Sequence, residues 1–212
     1  MSAYSATIAS RLVRKLGTFG DAQRQGINIF QKWLDFTELN RSFCTVFFAN
    51  LNAEPRYLND RFASLMRAFT LLSTTIGKSS ERAKLFVGDV EAALSSRFND
   101  NDREVLSHYI PTGAEVEMPF HLLRLLQENA DTMGTLVEDA RGFVRSVYDT
   151  LQFFERRSET PRPPFQGEKL LHATLKIRTL VKIVLLKELG FDEETVKSLT
   201  LRNSKINFLR TV

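Results

Sequence analysis

The chain has 212 residues, 17 of them Phe, and with 43% hydrophobic and 25% charged residues it has the balance of a folded globular protein, which excludes a disordered tail, a collagen-like repeat and a low-complexity chain. Its one cysteine, Cys44, excludes an internal disulfide framework and a thiolate zinc site. The net charge of +4 is unevenly spread: residues 1–50 carry +3, 51–100 +1, 101–150 −5 and 151–212 +5, so basic ends flank an acidic third quarter.

In the first twenty residues there are three cations, Arg11, Arg14 and Lys15, and no acid. At 100° per residue Ile8, Leu12 and Leu16 share one side with Ala9 and Val13, while the cations fall opposite. This is the composition of an interfacial helix or of a mitochondrial transit peptide, and equally of an amphipathic first helix docked on a core.

From Ile27 to Leu51 the apolar positions Ile29, Trp33, Phe36, Leu39, Phe43, Phe47 and Leu51 recur at spacings of three and four, which predicts one long amphipathic helix. Five Phe fall between Phe30 and Phe48, and Phe30 and Phe48 lie off the main stripe. The helix is therefore expected to be buried on several sides or to present Phe to a partner. Pro55 suits the start of the next helix, with Leu58, Phe62, Leu65, Phe69 and Leu72 inward and Gly77 as its stop. Ser79 or Ser80 is a cap for a helix to about Phe98, and Asn99 to Asp102 cap a shorter one to Ile110.

Pro111-Thr112-Gly113 marks a turn. A helical tract is expected from Pro119 to Arg157, with breaks near Gly134 or Gly142 and Leu122, Leu126, Met133, Leu136, Phe143, Val147, Leu151 and Phe154 inward. Residues 158–167, SETPRPPFQG, read as a Pro-stiffened linker. Helix resumes from Glu168 to Leu189, where Leu171, Leu175, Ile177, Leu180, Val181, Val184, Leu185 and Leu186 point almost all the way around, the mark of a helix buried on most sides. Gly190 stops it, Asp192 caps a last helix over Glu193 to Leu209, and no strand alternation is present. The expected fold is an all-α bundle of about seven or eight helices without a sheet. Residues 1–157 form its main domain, 158–167 the linker, and 168–212 a C-terminal segment packed on the same core.

No catalytic template fits. Gly77-Lys78-Ser79 lacks the Gly five residues earlier that a phosphate-binding loop needs, since Leu72 stands there, and helix precedes it where a strand is required. Glu104/His108 and Glu168/His172 are i, i+4 pairs, the pattern of surface polar pairs, and neither has the Glu-x-x-His spacing of di-iron bundles. Glu128 and Asp131 are adjacent on a helix in a segment already rich in acids, so a solvated face explains them. Cys44 sits among Phe with nothing nearby in sequence to activate it. No G-x-S-x-G elbow and no dinucleotide fingerprint occurs. No catalytic residue, no metal ligand, no cofactor and no small-molecule substrate is assigned, and an enzyme is not expected.

Eight cations against Glu159 and Glu168 lie between residues 156 and 187. Lys169, Lys176 and Lys187 align on one side of a helix over roughly 27 Å, a length that suits several phosphates, and Phe153, Phe154 and Phe165 beside Arg156 and Arg157 have the composition of a base-stacking platform. The competing reading places Phe153 and Phe154 in the core and leaves the cations to solvate the bundle. Leu189-Gly190-Phe191, with Thr195-Val196 and Asn207-Phe208-Leu209, resembles over some twenty residues the Gly-Phe loop of small ubiquitin-binding three-helix modules; a helix C-cap explains the pair without a ligand. The basic amphipathic N-terminus on a Phe-rich helical chain is broadly similar to peroxisomal membrane-elongation proteins, a likeness carried by no specific motif.

Three functions are compatible with these features. The leading expectation is a non-enzymatic helical interaction or assembly protein whose basic end segments engage an acidic partner or a second copy. Alternatives are a nucleoprotein-type single-stranded RNA binder acting through Arg156, Arg157, Lys169, Lys176 and Lys187, and a peripheral membrane protein whose helix bearing Ile8, Arg11, Leu12, Arg14, Lys15 and Leu16 lies on an anionic surface. No apolar run approaches the 18–20 residues that span a bilayer. An intracellular, cytoplasmic location is the default, with mitochondria suggested by the acid-free N-terminus.

Overall fold

The computed structural model describes residues 28–52, 57–76, 113–155 and 162–201. Among them the chain is all-α, with eight helices and no strand. These are α1 (Asn28–Leu39), α2 (Arg41–Asn52), α3 (Leu58–Ile76), α4 (Gly113–Glu128), α5 (Ala130–Met133), α6 (Ala140–Phe154), α7 (Gly167–Glu188) and α8 (Glu193–Leu201). The sequence-predicted helices over residues 1–20, 79–98 and 99–110 lie outside the described residues, as does the Gly77 stop.

The long helix expected over 27–51 is two helices with a corner at Asn40. The Asn40 main-chain N–H and its side-chain Nδ2 both donate to Phe36 O, at 2.9 and 3.0 Å, closing the end of α1, while Asn40 O accepts from Cys44 N at 2.9 Å and opens α2. The corner folds α1 back, so that the Trp33 and Phe48 rings meet edge-on at 5.8 Å although fifteen residues separate them. On a straight helix they would stand roughly 22 Å apart. Phe36 meets Phe43 at 6.1 Å and Phe43 stacks on Phe47 at 5.3 Å. Phe48, off the expected stripe, is thereby packed partly buried against the core. Leu39, expected to be inward, is instead 78% exposed, because the corner ends the face it belonged to.

Helix α3 is the centre of the bundle and packs against α2, α7, α6 and α4. Its expected stripe of Phe62, Leu65, Phe69 and Leu72 is buried, joined by Met66 and Ala68 on a widened face. Burying each such large side chain stabilises the fold by about 1.5–3 kcal/mol. Helix α4 starts at Gly113, earlier than the expected Pro119, which sits inside it. The tract after it breaks at Asn129, whose N–H and Nδ2 both donate to Leu125 O, at 3.2 and 2.8 Å, repeating the Asn40 device. Gly142 is not a break: it lies in the first turn of α6, where its N–H donates to the capping carboxylate of Asp139 at 2.9 Å.

The described part of the Pro-rich connection is docked. Phe165 packs on Phe143 at 5.9 Å, and its N–H donates to Thr150 Oγ1, buried in α6, at 3.2 Å. Gly167 then turns at φ 51°, a left-handed conformation open to Gly, and α7 enters the core. As the sequence predicts, α7 is buried on most sides, with Ile177 through Val181 and Ile183 through Leu186 all covered. Leu171 departs from its expected inward position and is 36% exposed. The helix closes at Gly190, φ 86°, with Phe191 N donating to Leu186 O at 3.1 Å and Gly190 N to Lys187 O at 2.8 Å, a Schellman turn. Leu170, Ile177, Leu180, Val184, Leu186, Leu189 and Val196 belong to the same hydrophobic cluster as Trp33, Phe47, Phe69 and Val147. Among the described residues no helix is long and apolar enough to cross a membrane.

Candidate functional site

The candidate cations meet different environments. Lys169 is exposed. Lys176 is half-buried, and desolvation pushes its ammonium below the usual lysine range while the charge of Glu138 pulls the other way. Lys187 donates to Glu193 Oε1 at 3.0 Å across the α7–α8 turn. The three aligned lysines therefore present one exposed ammonium, one partly desolvated and one already paired. Arg156 and Arg157 lie outside the described residues, as do Ile8, Arg11, Leu12, Arg14, Lys15 and Leu16. Phe154 packs edge-on against Phe153 at 5.9 Å and against Phe62 at 6.1 Å, and Phe165 against Phe143, so Phe154 and Phe165 belong to the packing of the bundle.

Glu168 and His172 face each other on α7, Oε1 to Nε2 3.7 Å, as their spacing predicts. Glu128 meets Arg124 on its own helix at 3.5 Å. Among the described residues no group of three or more His, Cys, Asp or Glu converges as a metal site would require. Glu104 and His108 lie outside them. Cys44 is buried, and desolvation pushes its thiol up to about 12. A thiol held protonated at neutral pH is a poor nucleophile.

Phe191 packs against the core cluster, and Gly190-Phe191 is accounted for by the Schellman turn. Asp192 caps α8 through Thr195 N and Thr195 Oγ1, both at 2.8 Å, and these hydrogen bonds hold its carboxyl below the ordinary range.

Two surface features stand out. Asp131 on α5 and Glu138 and Asp139 just before α6 are exposed, and none forms an ion pair with a described residue. They are the displayed part of the acidic third quarter. Leu39 and Tyr57, 78% and 71% exposed, are large apolar side chains at the end of α1 and the start of α3.

A third feature lies inside. Arg178, counted in the sequence only as one cation of a basic segment, is 8% exposed in the middle of α7. Its Nη2 donates to Asn50 Oδ1 at 3.4 Å, while Asn50 Nδ2 donates to Arg61 O at 2.7 Å. Burial, then the like charge of Arg61, push the Arg178 guanidinium down to about 10. No sequence signal marks this cluster, because its three members come from α2, α3 and α7 and Arg178 is 128 residues from Asn50.

No protein-family model, no curated protein and no solved structure matches this chain.

Proposed function

We propose that this protein is a non-enzymatic helical assembly protein whose basic end segments engage an acidic surface, with a second copy of the chain as the first candidate. The observation that carries the reading is the exposed acidic edge of Asp131, Glu138 and Asp139, none of which forms an ion pair with a described residue. Exposed carboxylates that form no ion pair with a described residue remain available to an external cation, and a chain that also carries basic ends holds both halves of such a contact. Leu39 and Tyr57 add apolar area, which charge pairs alone lack, since an exposed ion pair contributes only about 0–1 kcal/mol.

Size-exclusion chromatography with light scattering, at low and at high salt, tests the reading. Concentration-dependent oligomers at low salt that dissociate at high salt are expected. The variants Asp131→Lys and Glu138→Lys, placed on exposed positions, are expected to shift the chain towards monomer. A wild-type monomer at every concentration and salt sinks self-assembly.

A further inference from the structure

The Arg178 guanidinium and the Arg61 main chain are joined by a neutral residue, and the Arg61 charge lies near enough to act on Arg178. The Asn50 carboxamide, itself buried, spans them: Oδ1 accepts from Arg178 Nη2 at 3.4 Å and Nδ2 donates to the main chain of Arg61 at 2.7 Å. The Nε atoms of both arginines are buried without a hydrogen-bond partner. Among the described residues no carboxylate forms an ion pair with either guanidinium. Asp60, next to Arg61 in sequence, is exposed.

A guanidinium is a planar fork of five N–H donors with no acceptor, and burying one without an anion is strongly unfavourable. The like charge of half-buried Arg61 adds repulsion, which Asn50, offering one long hydrogen bond, does not offset. A group of opposite charge between them would satisfy both forks. A carboxylate has two oxygens and suits one Arg bidentately, whereas a phosphate has the charge and the acceptors for two. Arg61 is only half-buried, so a ligand reaches the pair from solvent on its side.

We propose that Arg61 and Arg178, held by Asn50, form a binding site for one phosphate group, carried either by a soluble phosphate compound or by a lipid headgroup. The proposal goes beyond the assembly reading and stands independently of it.

The test uses the full chain and inorganic phosphate, titrated at constant ionic strength with chloride as the exchanged anion, and reads calorimetric binding together with the shift in Tm. One saturable phosphate per chain is expected, with Tm rising as the site fills. Arg61→Gln and Arg178→Gln are each expected to weaken binding by about 10- to 100-fold, the worth of one charge-assisted hydrogen-bonding partner. Lys169→Gln, an exposed cation elsewhere on α7, is expected to leave it unchanged. Should Arg178→Gln fail to fold, the half-exposed Arg61→Gln decides. No saturable binding by the wild type in the millimolar range, or binding that Arg61→Gln leaves intact, overturns the site. Flotation with phosphatidylcholine vesicles, with and without phosphatidic acid, separates the sources. Arg61-dependent flotation on phosphatidic acid assigns a headgroup, and Arg61-dependent binding of inorganic phosphate without flotation assigns a soluble ligand.

Discussion

Cys44 provides a measurable link between burial and stability. Its thiol is pushed up to about 12 from an ordinary 9.0 by desolvation alone. An acid whose folded pKa lies above its unfolded value contributes nothing below the unfolded pKa and costs stability as pH rises from there to the folded pKa, because the unfolded chain loses its proton first. The window is therefore pH 9 to 12. At pH 10 the unfolded thiol is mostly ionised and the folded one is not, a difference of between about 1 and 2 kcal/mol against folding. Other groups titrate over the same range, so the measurement is a double difference: urea unfolding of wild type and Cys44→Ala, each at pH 7 and pH 10. Wild type is expected to lose between about 1 and 2 kcal/mol more than the variant on going to pH 10. An independent check is thiol labelling at pH 8, where the smaller thiolate fraction should slow the folded chain by about 1000-fold relative to the urea-unfolded chain. Equal pH losses in the two proteins, or native labelling at the rate of an unfolded thiol, would show that Cys44 is not desolvated as the packing between α1 and α2 requires.

Two further substitutions test the packing that positions the candidate surfaces. Phe47, fully buried and in ring contact with Phe43 and Phe48, is expected to cost about 3–5 kcal/mol as Phe47→Ala, read by urea denaturation; a loss below about 1 kcal/mol would mean that the Phe47 face of α2 does not pack on the core. Thr150→Val keeps the shape of the side chain but removes the acceptor for Phe165 N and the hydroxyl that donates to Ser146 O at 2.7 Å. It is expected to cost about 1–3 kcal/mol and to speed amide exchange at Phe165, and unchanged exchange there would refute the docking of the connection on α6.

Much of the helical organisation was legible because it follows from local rules. The stripe Phe62, Leu65, Phe69, Leu72 has helical period, Gly190 can adopt φ 86° at no steric cost, and Asp192 has the short acceptor that a helix start demands. The all-round apolar pattern of residues 170–186 also announced a buried helix. The corners at Asn40 and Asn129 were not legible. Neither Gly nor Pro stands there, and an Asn inside an apolar period reads as a tolerated polar residue until its Nδ2 is seen donating to a carbonyl four residues back. The misplacement of Leu39 follows from the first of these corners, since a stripe continues only as long as its helix does. The candidate lysines show the same limit: their alignment on α7 follows from spacing, but neighbours from other elements, Glu193 beside Lys187 and Glu138 near Lys176, set how much of each charge is free.

By itself, then, the sequence determined an all-α, Phe-rich bundle with one inert cysteine, a basic C-terminal segment and an acidic third quarter, because helix period, capping and composition act over a few residues. Only the tertiary structure decided where the chain folds back at Asn40, which carboxylates stand exposed on α5 and before α6, and that Arg178 is buried against Asn50 and close to Arg61. Those outcomes depend on contacts between distant segments, where burial turns a residue that reads as one more surface cation into a charge in need of an anion.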